Sequence, residues 1–242
     1  MAIDGPASLL YGMCGRFTLT ADGESVKQAY GLVDAPFDHH PRFNIAPQQD
    51  VLVVANGRAG RRAGIMRWGL VPSWAETAAD GARMINARSE TVSEKPAYRE
   101  AFQRRRCLIP ADGFYEWRNT GSIKIPMRVT TDQPFAFAGL WDRWQRGDDA
   151  PLFTCTILTT SPAASIAHIH DRMPVMLRPD QFDLWLADDT DPQTLQTLLQ
   201  PYRSEELHAY PVSTRVNKVD NDDPECIAPV AAQSVAEQTS LF

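Results

Sequence analysis

Four short segments place titratable side chains inside apolar, strand-like surroundings: Met13-Cys14-Gly15-Arg16-Phe17, Asn86-Ala87-Arg88-Ser89-Glu90-Thr91, Ala111-Asp112-Gly113-Phe114-Tyr115-Glu116-Trp117 and His170-Asp171-Arg172-Met173-Pro174-Val175. Between them they offer a thiol, a carboxylate and an imidazole. This is the set from which a nucleophile, an acid/base and a proton carrier are commonly drawn. Each segment alone has a plainer reading. A strand cysteine is usually a small core hydrophobe, Glu116 could end a strand, and His170 could be a hydrogen-bonded helix-end histidine. Cys14, His170 and Glu116 could also imitate the cysteine–histidine–acid arrangement of a thiol peptidase.

The four segments, in this order and spacing, resemble the SOS response-associated peptidase family, also called abasic-site processing proteins. The likeness runs from Met13 to about Pro229. It includes Phe43-Asn44-Ile45-Ala46-Pro47, Trp68-Gly69-Leu70-Val71-Pro72-Ser73-Trp74 and Pro211-Val212-Ser213. The resemblance implies that Cys14 is the catalytic cysteine, made residue one by removal of Met13. It implies that Asn86 positions that terminus, that Glu116 is the acid/base and that His170 assists opening of a deoxyribose. Arg16, Arg88 and Arg172 match arginines that hold DNA phosphates, and Trp74 and Trp117 match aromatics beside exposed bases. The family fold so implied is a barrel-like α+β domain with a positively charged groove.

That chemistry has its own logic. An abasic site opens to an aldehyde at C1′. A thiol alone gives a labile hemithioacetal and an amine alone a hydrolysable imine. A 1,2-aminothiol does both and closes a five-membered thiazolidine. Only an N-terminal cysteine carries that pair, and its α-amine, with an ordinary pKa of about 7.7–8.0, is nucleophilic near neutrality. The function expected is a covalent DNA–protein crosslink at abasic sites in single-stranded DNA, with autoproteolytic and lyase side activities. The alternatives are a thiol-dependent peptidase acting on proteins and a non-covalent single-stranded-DNA binder. Twelve residues precede Met13, whereas the family begins at the matching Met-Cys. Residues 1–12 therefore read as a leader or a mis-assigned start. Ala75 also departs from the family, which often carries a second aromatic there.

The elements that must position these residues are mostly strands. Runs 14–20, 51–55, 84–87, 107–109, 114–117, 135–141, 153–159 and 173–177 are β-branched or aromatic and bounded by Gly, Pro or Asp. Helices are expected over 22–32, 89–105, 179–187 and 192–199, the last two opened by proline. Strands and helices do not alternate strictly, which disfavours a doubly wound parallel sheet. The reading is a single α+β domain over 13–230, a curved, mostly antiparallel, barrel-like sheet with flanking helices, followed by a mobile tail over 231–242.

Net charge is −6, with 24 Lys and Arg against 30 Asp and Glu. A protein that coats nucleic acid through a dominant positive field is thereby excluded, though a local basic groove is not. Cys14, Cys107, Cys155 and Cys226 form no CxxC pair and no zinc-spaced cluster, so no disulfide, metal or cofactor is expected. No signal peptide or membrane span is legible, which gives the expectation of a cytoplasmic protein, nucleoid-associated when on DNA. The closing residues Gln238-Thr239-Ser240-Leu241-Phe242 resemble the peptide with which bacterial repair proteins dock on the sliding clamp, through Gln238, Leu241 and Phe242.

Overall fold

The computed structural model describes residues 14–33 and 39–231. The leader 1–12, Met13 and the clamp-like peptide lie outside the described residues.

Five strands close a barrel. Strand β3 (Asp50–Gly57) runs back along β4 (Gly60–Trp68) through a hairpin, and pairs on its other edge with β6 (Arg106–Ala111). Strand β9 (Phe135–Trp144) follows β6, and β10 (Leu152–Thr160) pairs with both β9 and β4, which completes the ring. Both faces of these strands are largely apolar: Val54, Leu108 and Leu140 share one face and Ile109 and Phe137 the other, and all five are fully buried. Pairing is antiparallel except along one edge of β10. Its first half lies parallel to β4, Cys155 opposite Trp68, and its second half parallel to β5 (Asn86–Arg88), Ile157 opposite Asn86. The sheet is thus mixed rather than simply antiparallel.

A second sheet, in the order β13–β8–β7–β1–β2, stacks against the barrel. It contains β1 (Arg16–Leu19), β2 (Arg42–Ile45), β7 (Gly113–Asn119), β8 (Lys124–Thr130) and β13 (His208–Pro211). Phe17 ties the two layers together. Its ring meets Trp68 edge-on at 5.3 Å and Phe137 at 5.5 Å, the geometry that aromatic quadrupoles favour. At the far end of β1, the Asp112 carboxylate accepts bonds from the Thr18 and Thr20 hydroxyls and from the Thr20 amide, and it pairs with Arg128. Asp112, although part of a chemistry-bearing segment, fixes the register of β1.

Helix α1 (Gly23–Tyr30) lies within the expected 22–32 span, with Asp22 as its N-cap and Gly31, at φ 61°, closing it in the left-handed conformation. Expectation and structure part over 89–105. Only α2 (Arg99–Arg104) is helical, and 89–98 form turns. Pro96 lacks the amide that a continuous helix would need there. The span 179–187 divides into a 3-10 turn (Pro179–Gln181) and α3 (Phe182–Leu186), and α4 covers Pro192–Leu198. Strands β2, β4, β8 and β13 were not legible as runs, while the short β11 (Met173–Pro174) and β12 (Met176–Leu177) divide the expected 173–177 strand.

Candidate active site

Cys14 lies two residues before the start of β1 and is buried, with a positive φ of 31°. A non-glycine residue in that region carries backbone strain that the surroundings must sustain. The β1–β7 register, with Arg16 opposite Tyr115 and Phe17 opposite Phe114, brings Cys14 beside Glu116. The Cys14 backbone nitrogen donates to Glu116 Oε1 at 2.8 Å, and the charge of the same carboxylate helps to raise the pKa of the Cys14 thiol. One carboxylate thus bears on both heteroatoms of the cysteine.

Burial dominates the electrostatics. Glu116 is 5% exposed, and desolvation raises its pKa, offset in part by His170 and by the bonds from Cys14. The Cys14 thiol is pushed well above the ordinary range by desolvation and then by the adjacent Glu116 charge. This is the reverse of the thiolate–imidazolium pair that activates a peptidase cysteine. The geometry therefore supplies a proton acceptor for the thiol, not a standing thiolate.

Asn86 reaches the same point from the barrel. Strand β5 is held against β10, and the Trp68 indole donates to the Ile85 carbonyl at 2.8 Å, so Asn86 is fixed from both sides. Its Nδ2 donates to the Cys14 carbonyl at 3.4 Å, and its own carbonyl accepts from Tyr98 at 3.3 Å. His170 follows a turn anchored by the buried Ile166 and Ile169. Its Nδ1 lies 3.2 Å from the Arg172 amide and 3.1 Å from Asp171 Oδ1. These partners suit different protonation states. A neutral ring accepts the Arg172 N–H on Nδ1 and keeps its proton on Nε2, whereas an imidazolium can turn Nδ1–H to Asp171.

A cavity of about 590 Å³ opens over these groups, lined by Cys14, Arg16, Glu116, Trp117 and His170 among others. Arg16 is 8% exposed, and its guanidinium donates to Asn44 Oδ1 at 2.8 Å and to the carbonyls of Val216 and Asn217 at 2.7 and 3.3 Å. Arg172 grips Glu90 through both terminal nitrogens and donates to the Thr159 carbonyl at 2.6 Å. Arg88 is exposed on β5, outside the cavity wall, and Trp74, 64% exposed, is also outside it. Of the nine residues expected from the sequence, the structure gathers five around the cavity and attaches Asn86 and Arg172 directly to them. Arg88 and Trp74 stand apart.

Sequence reasoning missed the residues that hold the cavity's other wall. Asn44, fully buried, donates from Nδ2 to the carbonyls of Val216, Lys218 and Asn221 at 3.1, 3.0 and 2.7 Å. Asp222 accepts from the amides of Phe43 and Asn44 and from Arg42. A polar side chain within the apolar Phe43-Asn44-Ile45 run was the available signal. The segment so pinned carries Asn217 and Val219 into the cavity, where Asn217 Oδ1 accepts the Trp117 indole N–H at 2.8 Å.

The family model for SOS response associated peptidase (SRAP) matches residues 13–219. The chain belongs to this family. It is 44% identical over 221 residues to abasic site processing protein YoqW of Bacillus subtilis (strain 168), spanning 89% of this chain and 99% of that protein. It is 29% identical over 231 residues to abasic site processing protein YedK of Escherichia coli (strain K12), covering 90% and 100% respectively. Among solved structures, the fold matches the X-ray crystal structure of a Bacteroides thetaiotaomicron protein with a TM-score of 0.81 and 25% identity, over 90% of this chain and all of that one. The SRAP match begins at Met13, immediately before the buried cysteine. Among the described residues, no group of three or more His, Cys, Asp or Glu side chains is placed to hold a metal, and no helix is long and apolar enough to cross a membrane.

Proposed function

We propose that this SRAP protein binds abasic sites in single-stranded DNA and captures them covalently through Cys14, once the Met13–Cys14 bond has been opened. The observation that carries the reading is the 2.8 Å contact of one buried carboxylate, Glu116, with the nitrogen of a buried cysteine at the floor of the cavity. The names of the relatives, abasic site processing proteins, point to the same class of substrate.

The steps balance without a cofactor. His170 gives a proton to the ring oxygen and regains one from the C1′ hydroxyl by way of solvent, so the deoxyribose hemiacetal opens and exposes the C1′ aldehyde. The freed α-amine of Cys14 adds to C1′. Glu116, having taken a proton from the α-ammonium as the amine is freed, returns it to the carbinolamine hydroxyl, which leaves as water. The Glu116 carboxylate so formed then takes the thiol proton, and sulfur closes the ring on C1′. Net, an aldehyde and an aminothiol give a thiazolidine and one water. Interrupted at the imine, the same intermediate permits β-elimination, a lyase activity.

Opening of the Met13–Cys14 bond fits the same groups. The thiol can add to the Met13 carbonyl carbon while Glu116 relays its proton to the departing Cys14 nitrogen, leaving a thioester that water hydrolyses. Action on unrelated proteins has no support of this kind, since burial keeps the thiol protonated. The deciding experiment incubates protein beginning at Cys14 with glycosylase-treated, uracil-containing single-stranded DNA. A band that survives denaturing electrophoresis, with a mass equal to protein plus DNA minus one water, supports the reading. A complex that dissolves in detergent leaves only non-covalent binding.

A further inference from the structure

The end of β10 is flanked on both edges. Thr159, fully buried, lies opposite Arg88 of the parallel β5 and opposite Pro174 of the antiparallel β11. Glu90 follows β5 by two residues and Arg172 precedes β11 by one, so the two side chains meet across the strand end. The Arg172 guanidinium donates to Glu90 Oε1 and Oε2 at 2.5 and 2.9 Å, and to the Thr159 carbonyl and hydroxyl at 2.6 and 3.3 Å. The Ser89 amide donates to the same Thr159 carbonyl at 2.9 Å. Neither Glu90 nor Arg172 lines the cavity. His170 does line it, and its Nδ1 accepts the Arg172 amide at 3.2 Å.

We infer that Glu90 is a positioning residue for His170. By fixing Arg172 it keeps the Arg172 amide on Nδ1, so the imidazole proton stays on Nε2, the nitrogen that serves the deoxyribose ring oxygen. This rests on the abasic-DNA reading for the role of His170 and adds the group that sets its tautomer. The ring has a second partner at nearly equal range. Asp171 Oδ1 lies 3.1 Å from Nδ1, and a carboxylate there favours the opposite tautomer, Nδ1–H. The Asp171 side chain is 88% exposed and water competes for it, so the main-chain amide prevails while its turn is held. The bidentate pair supplies that hold, since two parallel N–H···O bonds fix direction as well as distance. The pair is also durable. Hydrogen bonds from Arg172 keep the Glu90 carboxyl below its ordinary range, so it stays ionised near neutrality.

The test reads the imidazole directly. Nitrogen-15 NMR of the five histidines, with His170 assigned by its loss in His170→Gln, shows which ring nitrogen carries the proton and needs no DNA. At a pH where the ring is neutral, wild-type protein beginning at Cys14 should show Nε2–H. Glu90→Gln and Glu90→Ala should move it toward Nδ1–H, alanine further than glutamine. At saturating abasic single strand the same variants should form the adduct about tenfold more slowly, part of the roughly 10²–10⁴ that a general acid contributes. Their affinity for a strand carrying tetrahydrofuran, which has no aldehyde, should stay near wild type. Asp183→Asn, which breaks an exposed pair with Arg61, should change none of these. A wild-type Nδ1–H ring, or slower capture with an unaltered tautomer, would overturn the inference. So would tighter tetrahydrofuran binding at an unchanged capture rate, which would make Glu90 a mask over a phosphate-binding arginine. Absence of any adduct from wild-type protein would defeat the covalent reading instead, and the tautomer measurement would still decide the positioning.

Discussion

Glu116 Oε1 sits 2.8 Å from the Cys14 nitrogen, and both residues are buried. In the chain that carries Met13 that nitrogen is an amide. In a chain that begins at Cys14 it is an ammonium, and the contact becomes an ion pair. Removing residues 1–13 should therefore lower the Glu116 pKa, reversing part of the rise that burial causes. Carboxylate titration followed by isotope-edited infrared or NMR spectroscopy in the two forms checks this. An unchanged Glu116 would mean that the terminus moves away on processing.

Substitution at Cys14 divides the two functional atoms. Cys14→Ser in the processed chain should abolish the detergent-stable adduct yet leave an imine trappable by borohydride, with weak strand cleavage by elimination. Cys14→Ala crosslinking at the wild-type rate would remove sulfur from the mechanism.

For Glu116→Gln the sign of the pH effect is fixed. A carboxyl whose pKa is raised in the folded state binds its proton more tightly there, so it disfavours folding increasingly as pH rises from the unfolded value of about 4.3 through the folded one. In the leader-bearing chain, Glu116→Gln should unfold at a higher temperature than wild type at pH 8, and the gap should close below pH 4. Crosslinking by the processed variant should slow on the order of 10²-fold, the lower range of a general acid/base contribution. A melting-temperature gap independent of pH would show that the desolvation argument is misplaced.

Asn44→Ala tests a residue that touches no reacting atom. It should cost about 1–3 kcal/mol in stability, because the carbonyls of Val216, Lys218 and Asn221 and the Arg16 guanidinium lose a buried partner. DNA affinity should fall with it, while the rate of adduct formation at saturating DNA stays near wild type. Denaturant unfolding and single-turnover kinetics measure the two separately.

Phe17→Ala removes the ring that locks β1 onto Trp68 and Phe137 and should destabilise the fold by about 3–5 kcal/mol. Because Cys14 lies three residues before Phe17, crosslinking by the fraction still folded should also slow. Retention of the full single-turnover rate would show that the cysteine is positioned from Glu116 and Asn86 alone.

The reacting groups were legible because each interrupts a strand-like apolar run with a side chain that such a run does not need. The barrel strands β3, β9 and β10 were legible because they are dense in β-branched and aromatic residues. What stayed hidden depends on tertiary context. Strand β4 reads Gly60-Arg61-Arg62-Ala63-Gly64, a charged, glycine-flanked turn by composition, and becomes a strand because β3 supplies its partner. Strand β8 contains Pro126, which argues against an interior strand, yet Val212 donates to its carbonyl from the neighbouring segment. The supposed helix over 89–105 had the right apolar spacing, but Pro96 confines it to its last turns. For the arginines, the resemblance implies contacts to DNA phosphates, and packing adds what the sequence did not show. Arg16 and Arg172 also hold the chain's own carbonyls and Glu90.

Strand β10 lends one half of a single edge to β4 and the other half to β5, so the chain between them, residues 69–85, leaves the barrel and rejoins it beside its point of departure. Gly69, at φ 139°, and Gly81 close that detour at its base, where a Cβ on Gly69 would stand 2.6 Å from the Gly81 carbonyl oxygen. The inner part of the excursion belongs to the barrel, since Leu70, Val71 and Ala75 are buried and the Val71 and Ser73 amides donate to Thr154 on β10 and Asp142 on β9. Residues 76–80 are mostly exposed and form the natural cassette, where a transplanted loop or affinity tag would alter what the protein displays near Ala82, at the cavity wall, without renegotiating the five-stranded ring.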